Sequence, residues 1–292
     1  MRTAGTHQDN WPPPLPDSRG FVAPPVPTPV DAARAFILAL VRDPSGGRRV
    51  VVRSLGLLLL GLLCIPAHIL WRLLDWQSPW AAWFLAGAAR MCGIRVRPIG
   101  EPVRRNVFII SNHLSWTDAL ILGGLTGSVF VAQDGIARWP VLSAICKLND
   151  TIFVTRSNRM GVMDQINEMR SKFSRHQRLV LFPEGTCGDG RRLLPFKASL
   201  FALLTPAPPG AMLQPVVIDC DEAGRELAWL GMETGAENAW RLLARKGHWE
   251  ARVHFLPPLD PNLIEDRKAM ASAARAMIAA RLSATLGGRP VC

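Results

Sequence analysis

Four short runs constrain this chain more than any other feature: Val107-Phe108-Ile109-Ile110, Thr151-Ile152-Phe153-Val154-Thr155-Arg156, Leu179-Val180-Leu181-Phe182 and Gln214-Pro215-Val216-Val217-Ile218. Each has the length and the β-branched or aromatic content of a strand, and two are apolar at every position, as in strands buried on both faces. Residues 134–146, broken near Trp139-Pro140, and residues 160–176 carry helical patterning between them, while residues 252–256 supply a last strand closed by Pro257-Pro258. Strands alternating with helices imply an α/β fold with a central mixed, largely parallel sheet flanked by helices. Ligands in such folds bind beyond the carboxyl ends of the strands, so the polar residues that directly follow an apolar run are the first place to look for chemistry.

The first run leads into Ser111-Asn112-His113-Leu114-Ser115-Trp116-Thr117-Asp118. Residues five apart on a continuous helix point roughly 140° from each other, so His113 and Asp118 meet only if a turn separates them before a helix begins. Thr117 or Ser115 is the expected cap of that helix. Paired in this way, the carboxylate fixes the imidazole tautomer and stabilises the imidazolium, and His113 takes the proton of a hydroxyl brought by a substrate. The third run leads into Pro183-Glu184-Gly185-Thr186-Cys187-Gly188-Asp189-Gly190, whose three glycines permit positive φ and close approach of backbone to a ligand. Glu184 is a candidate to receive an acceptor hydroxyl, and Arg156, at the end of the second run, is suited to a phosphate or a carboxylate. Cys187 in this turn is a candidate nucleophile, with a small residue tolerated in a tight loop the favoured, blander reading.

These blocks, in this order, resemble those of the glycerolipid acyltransferase family that includes the 1-acylglycerol-3-phosphate acyltransferases. Asn112, His113 and Asp118 match its Asn-His-x-x-x-x-Asp block, Phe182 to Thr186 its Phe-Pro-Glu-Gly-Thr block, and Ile152, Phe153 and Arg156 part of the block between. Pro195-Phe196-Lys197 resembles the stretch that follows. The similarity covers residues 50–260. It implies catalysis by His113 and Asp118, an acceptor site shaped by Arg156, Glu184, Gly185 and Thr186, no metal or other cofactor, and an acyl carrier protein or acyl-CoA as donor partner. Three departures bear on the acceptor. Many phosphatidic-acid-forming members carry arginine where this chain has Cys187. Gln133 stands where a lysine often lies near the reacting carbonyl, and with the Gly185 amide it is the expected oxyanion donor. Asp150 replaces a glycine and brings a negative charge near any phosphate held by Arg156.

Residues 54–71 contain no Asp, Glu, Lys or Arg, and as a helix they would reach roughly 27 Å, barely a bilayer core. Pro66 is expected to kink this helix, and a second apolar stretch follows from Pro79 to Ala89. Arg42, Arg48, Arg49 and Arg53 precede the pair, and Arg90, Arg95 and Arg97 follow it, so positive charge flanks both ends. This pattern favours an N-terminal membrane-binding helical hairpin with both ends on the cytoplasmic side of the inner membrane. A hairpin buried in a soluble core is the blander alternative. The net charge of +11 fits an anionic membrane and an acidic carrier. Nucleic acid is disfavoured, since no basic stripe is interleaved with aromatics and the chain has no tyrosine. Six cysteines without a Cys-x-x-Cys indicate neither a zinc site nor a disulfide framework.

The expected organisation is a proline-rich tail at 1–30, an amphipathic helix and apolar hairpin at 31–98, a catalytic domain at 99–262, and a C-terminal helix and tail at 263–292. The expected activity is sequential transfer of a fatty acyl group to the free hydroxyl of a lysolipid. The leading acceptor is 1-acyl-sn-glycerol-3-phosphate, giving phosphatidic acid. The alternative is lyso-ornithine lipid, whose head group has no phosphate. A non-catalytic membrane-associated binding module and a hydrolase using the same dyad on water are the readings from other classes.

Overall fold

The computed structural model describes residues 43–74, 76, 78–133, 146, 149–154, 173, 178–221, 223–229, 233–289 and 291. The proline-rich tail, the expected helices at 31–42, 134–146 and 160–176, and Arg156 lie essentially outside the described residues, as does the side chain of Gln133.

Seven strands form one sheet: β1 (Ile94–Ile99), β2 (Val107–Ser111), β3 (Val129–Gln133), β4 (Ile152–Val154), β5 (Arg178–Leu181), β6 (Met212–Asp219) and β7 (Trp249–Phe255). Their spatial order is β1-β7-β6-β2-β5-β3-β4. Every neighbouring pair is parallel except β6 with β7, so the sheet is mixed and largely parallel, as the alternation of strands and helices implied. β2 lies between β5 and β6, and Val107 to Ser111 are all buried, which explains a run with no polar alternation. The residue after this central strand is therefore fixed from both sides.

Two strands were not evident from the sequence. β1 carries Arg95 and Arg97, read above as the basic flank of a membrane segment, yet it pairs in parallel with β7. As an edge strand it tolerates Pro98 and turns its arginines outward, so it lacks the apolar run that marks the buried strands. It also begins inside the segment assigned to the hairpin. β3 packs beside β5 and carries Gln133 at its end.

The helices are α1 (Pro44–Leu73), α2 (Trp80–Met91), α3 (Thr117–Thr126), the short α4 (Ala223–Leu227), α5 (Gly235–Ala244) and α6 (Arg267–Thr285). α1 begins well before the uncharged run because Asp43 accepts from the Gly46 amide and Pro44 occupies the first turn. Its 30 residues would extend about 45 Å. Pro66 lies inside the helix. α1 and α2 form the expected apolar hairpin, with Leu60 packed over Gly87 and Met91 over Gly56. The outer face is bare: Leu58, Leu59, Leu62, Leu63 and Leu73 are each more than half exposed. An apolar helix with that face open is not the core helix of a soluble protein, and by length and composition α1 is able to cross a membrane.

Both ends of α1 are tied to the sheet domain. At its start, Arg49 donates to the Ala244 carbonyl and Arg53 to those of Leu242, Leu243, Arg245 and Gly247, filling the C-terminal end of α5. At its end, Arg72 pairs with Asp150 just before β4. The charge on Asp150, expected to disturb a phosphate, is thus directed at the hairpin.

α2 in turn packs on α3 where Gly124 lies against Ala86, and a Cβ at Gly124 would come within 2.6 Å of the Ala86 amide nitrogen. Backbone cannot yield as a side chain does. Gly124→Ala is expected to cost about 1–3 kcal/mol by forcing the helices apart, read as a lower Tm in thermal unfolding.

Candidate active site

β2 ends at Ser111, and the chain turns through Asn112 to Trp116 before α3 begins at Thr117. Asn112 fixes the start of that turn by mimicking a strand pair with β6: its Oδ1 accepts from the Ile218 amide at 2.8 Å and its Nδ2 donates to the Ile218 carbonyl at 2.9 Å. Asp118 sits in the first turn of α3 and reaches back over the loop. Its Oδ2 lies 2.7 Å from His113 Nδ1 and also accepts from the Leu114 and Ser115 amides. A carboxylate only accepts, so Nδ1 carries the proton and Nε2 is the nitrogen left for a reacting group. The turn required by the five-residue separation is present. Trp116 holds the cap position without a side-chain bond, while Ser115 Oγ accepts from the Thr117 amide at 3.2 Å and shares a 2.6 Å bond with the Thr117 hydroxyl, so Ser115 serves the first turn as expected.

Glu184 follows the central region of the sheet from the β5 side. It is 3% exposed. Oε1 accepts from the His113 amide at 2.8 Å and Oε2 from the Leu194 amide at 2.9 Å. Both oxygens of the residue expected to receive the acceptor hydroxyl are thereby engaged, and in this geometry Glu184 is a positioning residue that locks the histidine loop to the glycine turn. The Gly188 amide adds a second lock, donating to the His113 carbonyl at 2.7 Å. The His113 ring stacks on Phe182, with centroids 4.2 Å apart.

Gly185 has φ of 68°, and a Cβ there would fall 2.3 Å from Lys197 Nζ, so only glycine fits the turn. Its amide, expected to hold an oxyanion, instead donates to the Phe182 carbonyl at 3.1 Å. Among the described residues no partner is recorded for the amides of Thr186 and Cys187, which lie one and two residues further round the turn. Thr186 is exposed at its tip. Cys187 is a free, half-buried thiol that lies near enough to the His113 imidazole to raise its pKa. No residue pattern announced that nearness, which depends on how the glycine turn folds back.

Electrostatics at the site is set by burial against pairing. Burial lowers the His113 pKa, but the charge and hydrogen bond of Cys187, together with the bond and charge of Asp118, outweigh it and hold the imidazole well above its usual value. Burial pushes the Glu184 carboxyl up to about 7, although its two backbone hydrogen bonds pull the other way.

Comparison with known proteins places the chain among acyltransferases. Residues 95–219 match the profile of the family described as Acyltransferase. A lyso-ornithine lipid O-acyltransferase of Brucella abortus is 28% identical over 263 residues, covering 84% of this chain and 98% of that protein. A 1-acyl-sn-glycerol-3-phosphate acyltransferase of Neisseria meningitidis is 30% identical over 181 residues, 59% of this chain and 69% of that protein. The crystal structure of the 1-acyl-sn-glycerophosphate acyltransferase of Thermotoga maritima shares the fold, with a TM-score of 0.59 at 16% identity, covering 84% of this chain and 98% of that one.

Two outcomes are expected. A base must be neutral to accept a proton, so with the His113 pKa raised, kcat/KM should climb with pH along a limb centred above 6.5; a profile flat through that region counts against His113. A carboxyl whose pKa is higher folded than unfolded binds its proton more tightly in the fold. The stability contributed by Glu184 is therefore complete below its ordinary 4.5 and lost as pH rises through about 7. Glu184→Gln should flatten that part of the Tm-against-pH curve, and should cost about 1–3 kcal/mol at low pH by leaving one backbone amide facing an NH2 group.

Proposed function

The chain belongs to the acyltransferase family, and from that premise we propose that it O-acylates a lysolipid whose head group lacks phosphate, with lyso-ornithine lipid the first candidate. The observation that carries the acceptor choice is Cys187. It lies near the His113 imidazole, at the position where many phosphatidic-acid-forming members of the family carry arginine. A guanidinium there would offer a two-pronged grip on phosphate, and a thiol offers none. The near full-length likeness to the Brucella protein supports the same choice. A head group with a carboxylate still needs a cation, and Lys197 Nζ lies beside Gly185 at the mouth of the turn. A second reading, 1-acyl-sn-glycerol-3-phosphate giving phosphatidic acid, is favoured by the Neisseria relative and by Arg156 in the sequence.

In either reading His113 Nε2 takes the hydroxyl proton of the lysolipid, and Asp118 holds the ring and stabilises the imidazolium. The donor is an acyl thioester, on acyl carrier protein or coenzyme A. The protein's own residues supply the base, the orienting carboxylate and the amides of the glycine turn; no metal or prosthetic group enters the scheme.

The place of work is the cytoplasmic face of the inner membrane, where thioester donors are made. The bare apolar face of α1 supports membrane attachment. Because Arg49 and Arg53 at one end of α1 and Arg72 at the other all bind the same domain, the hairpin lies along that domain. An embedded helix that enters and leaves on one side satisfies both ties, and a span from one face to the other does not.

Supplied with equal amounts of lyso-ornithine lipid and 1-acylglycerol-3-phosphate, the purified protein should acylate the first at least about 10-fold faster, a difference worth roughly 1.4 kcal/mol; the opposite ratio moves the assignment to phosphatidic acid. His113→Ala should lower transfer by about 100- to 10,000-fold with either acceptor, and near-normal transfer by that variant would remove the dyad from the mechanism. Leu59→Lys with Leu62→Lys should shift the protein from membrane to soluble fraction on cell fractionation.

A further inference from the structure

Resting on the reading of a phosphate-free acceptor, we propose that Asp189 is a specificity-determining residue, a fixed carboxylate beside the dyad that selects lysolipids carrying an ammonium in the head group. The glycine turn brings it there. Gly188 donates its amide to the His113 carbonyl at 2.7 Å, so the Asp189 Cα lies no more than about 8 Å from that oxygen. On the other side Gly190 has φ of 74°, and a Cβ there would fall 2.7 Å from Leu114 Cδ2. The backbone flanking Asp189 is thus pressed against the two residues His113 and Leu114 of the dyad loop.

The side chain is fixed by the loop, yet only half of it is used. Oδ1 accepts from the Arg191 amide at 2.9 Å and from the Arg192 amide at 2.8 Å, which sets the direction of the carboxylate. A turn of this kind needs one oxygen, and an asparagine would supply it equally well. The negative charge and the second oxygen therefore have no role in the turn, and no bond or ion pair is recorded for Oδ2 among the described residues. The carboxylates around it contrast with this. Asp118 holds His113, Glu184 engages both oxygens with amides, and Asp219, Glu233 and Asp150 pair with Arg252, Arg241 and Arg72. Arg191 and Arg192 meet Asp189 through their amides, with no ion pair to it recorded from either guanidinium. In a chain with 34 Lys and Arg against 23 Asp and Glu, a half-buried carboxylate beside the dyad without a recorded cation is the reverse of what a phosphate acceptor needs.

The charges fit an amino-acid head group. Ornithine joined to its fatty chain through the α-amine keeps a carboxylate and a terminal ammonium. Lys197 Nζ, beside Gly185, stands at one end of the turn for the first, and Asp189 stands toward the other end for the second. An ammonium is a compact charge with three donors, so a single oriented carboxylate oxygen serves it without the two-pronged geometry that a guanidinium asks for. A site built to bond such a group rejects an acceptor that lacks it, because the carboxylate is then desolvated with nothing in return.

The test uses the full-length protein in phosphatidylcholine nanodiscs, with palmitoyl-CoA as donor in one arm and palmitoyl-acyl carrier protein in another. Three acceptors are supplied singly: lyso-ornithine lipid, its norleucine analogue, in which a methyl replaces the ammonium, and 1-acylglycerol-3-phosphate. Wild type should use the ornithine lipid at least about 10-fold better in kcat/KM than the norleucine lipid. Asp189→Asn keeps the oxygen that the two amides need and removes only the charge. In that variant the ornithine-to-norleucine ratio should fall to within about 2-fold, through KM for the ornithine lipid rather than through kcat, and use of 1-acylglycerol-3-phosphate should rise relative to it. Asp189→Glu, which keeps the charge, should recover part of the ratio. Wild type that takes both amino-acid lipids equally, or Asp189→Asn that retains the wild-type ratio, overturns the role of Asp189 while leaving the phosphate-free acceptor in place. Asp189→Asn that loses all three acceptors alike, with a lowered Tm, shows a purely structural residue and overturns it too. Wild type that acylates 1-acylglycerol-3-phosphate and neither amino-acid lipid defeats the acceptor reading beneath the proposal.

Discussion

A single buried carboxylate, Glu184, organises the site. Its two oxygens take the amides of His113 and Leu194, segments far apart in sequence that no strand or helix hydrogen bond would otherwise join. Burying a carboxyl is costly, and the high pKa of about 7 reflects it. What offsets the cost is that two backbone donors, equally costly to bury unpaired, are satisfied at once. The dyad depends on this clamp because the aim of the His113 ring is set by its backbone, and that backbone is bonded on one side by Glu184 and on the other by Gly188.

The reach of the clamp extends to the far end of the chain. Leu194 gives its amide to Glu184, while the carbonyls of Leu193 and Leu194 accept from Arg275 on α6. Leu193 in turn donates to the Val291 carbonyl near the C-terminus. The C-terminal helix, which carries no candidate catalytic residue, thus supports the loop behind the glycine turn. On the opposite side, Trp116 and Trp229, from the dyad loop and the segment after α4, bond to Asn238 and to the carbonyls of Glu233 and Leu114. The dyad is consequently held by a rigid surround, which is what preorganised catalysis asks of a fold.

The hairpin belongs to the same mechanical unit. Arg53 fills the carbonyl end of α5, the helix that supplies Asn238, and Arg72 reaches the entry of β4. A helix pair bonded to the catalytic sheet at both ends of its long member holds its bare apolar face in a fixed position relative to the site.

Several parts of this organisation were legible in the residues alone. Uninterrupted apolar runs can satisfy burial only inside a sheet covered on both faces, so β2 and β5 followed from composition over four residues. The separation of His113 from Asp118 allowed one geometry, a turn before a helix, because a helix would point them apart. The absence of charge over residues 54–71 fixed an apolar helix. Other parts depended on contacts between segments distant in sequence. β1 was hidden because an edge strand needs burial on one side only and may carry arginines. Glu184 was a candidate substrate contact, and the two amides its oxygens accept from could not be read from spacing. Cys187 was marked by its place in the glycine turn, but its nearness to His113 was not, since a side chain in such a turn acquires a neighbour only when the turn folds back on another loop. Periodicity and spacing record what each segment demands of its surroundings, whereas the partner that meets the demand is decided by which strands lie side by side.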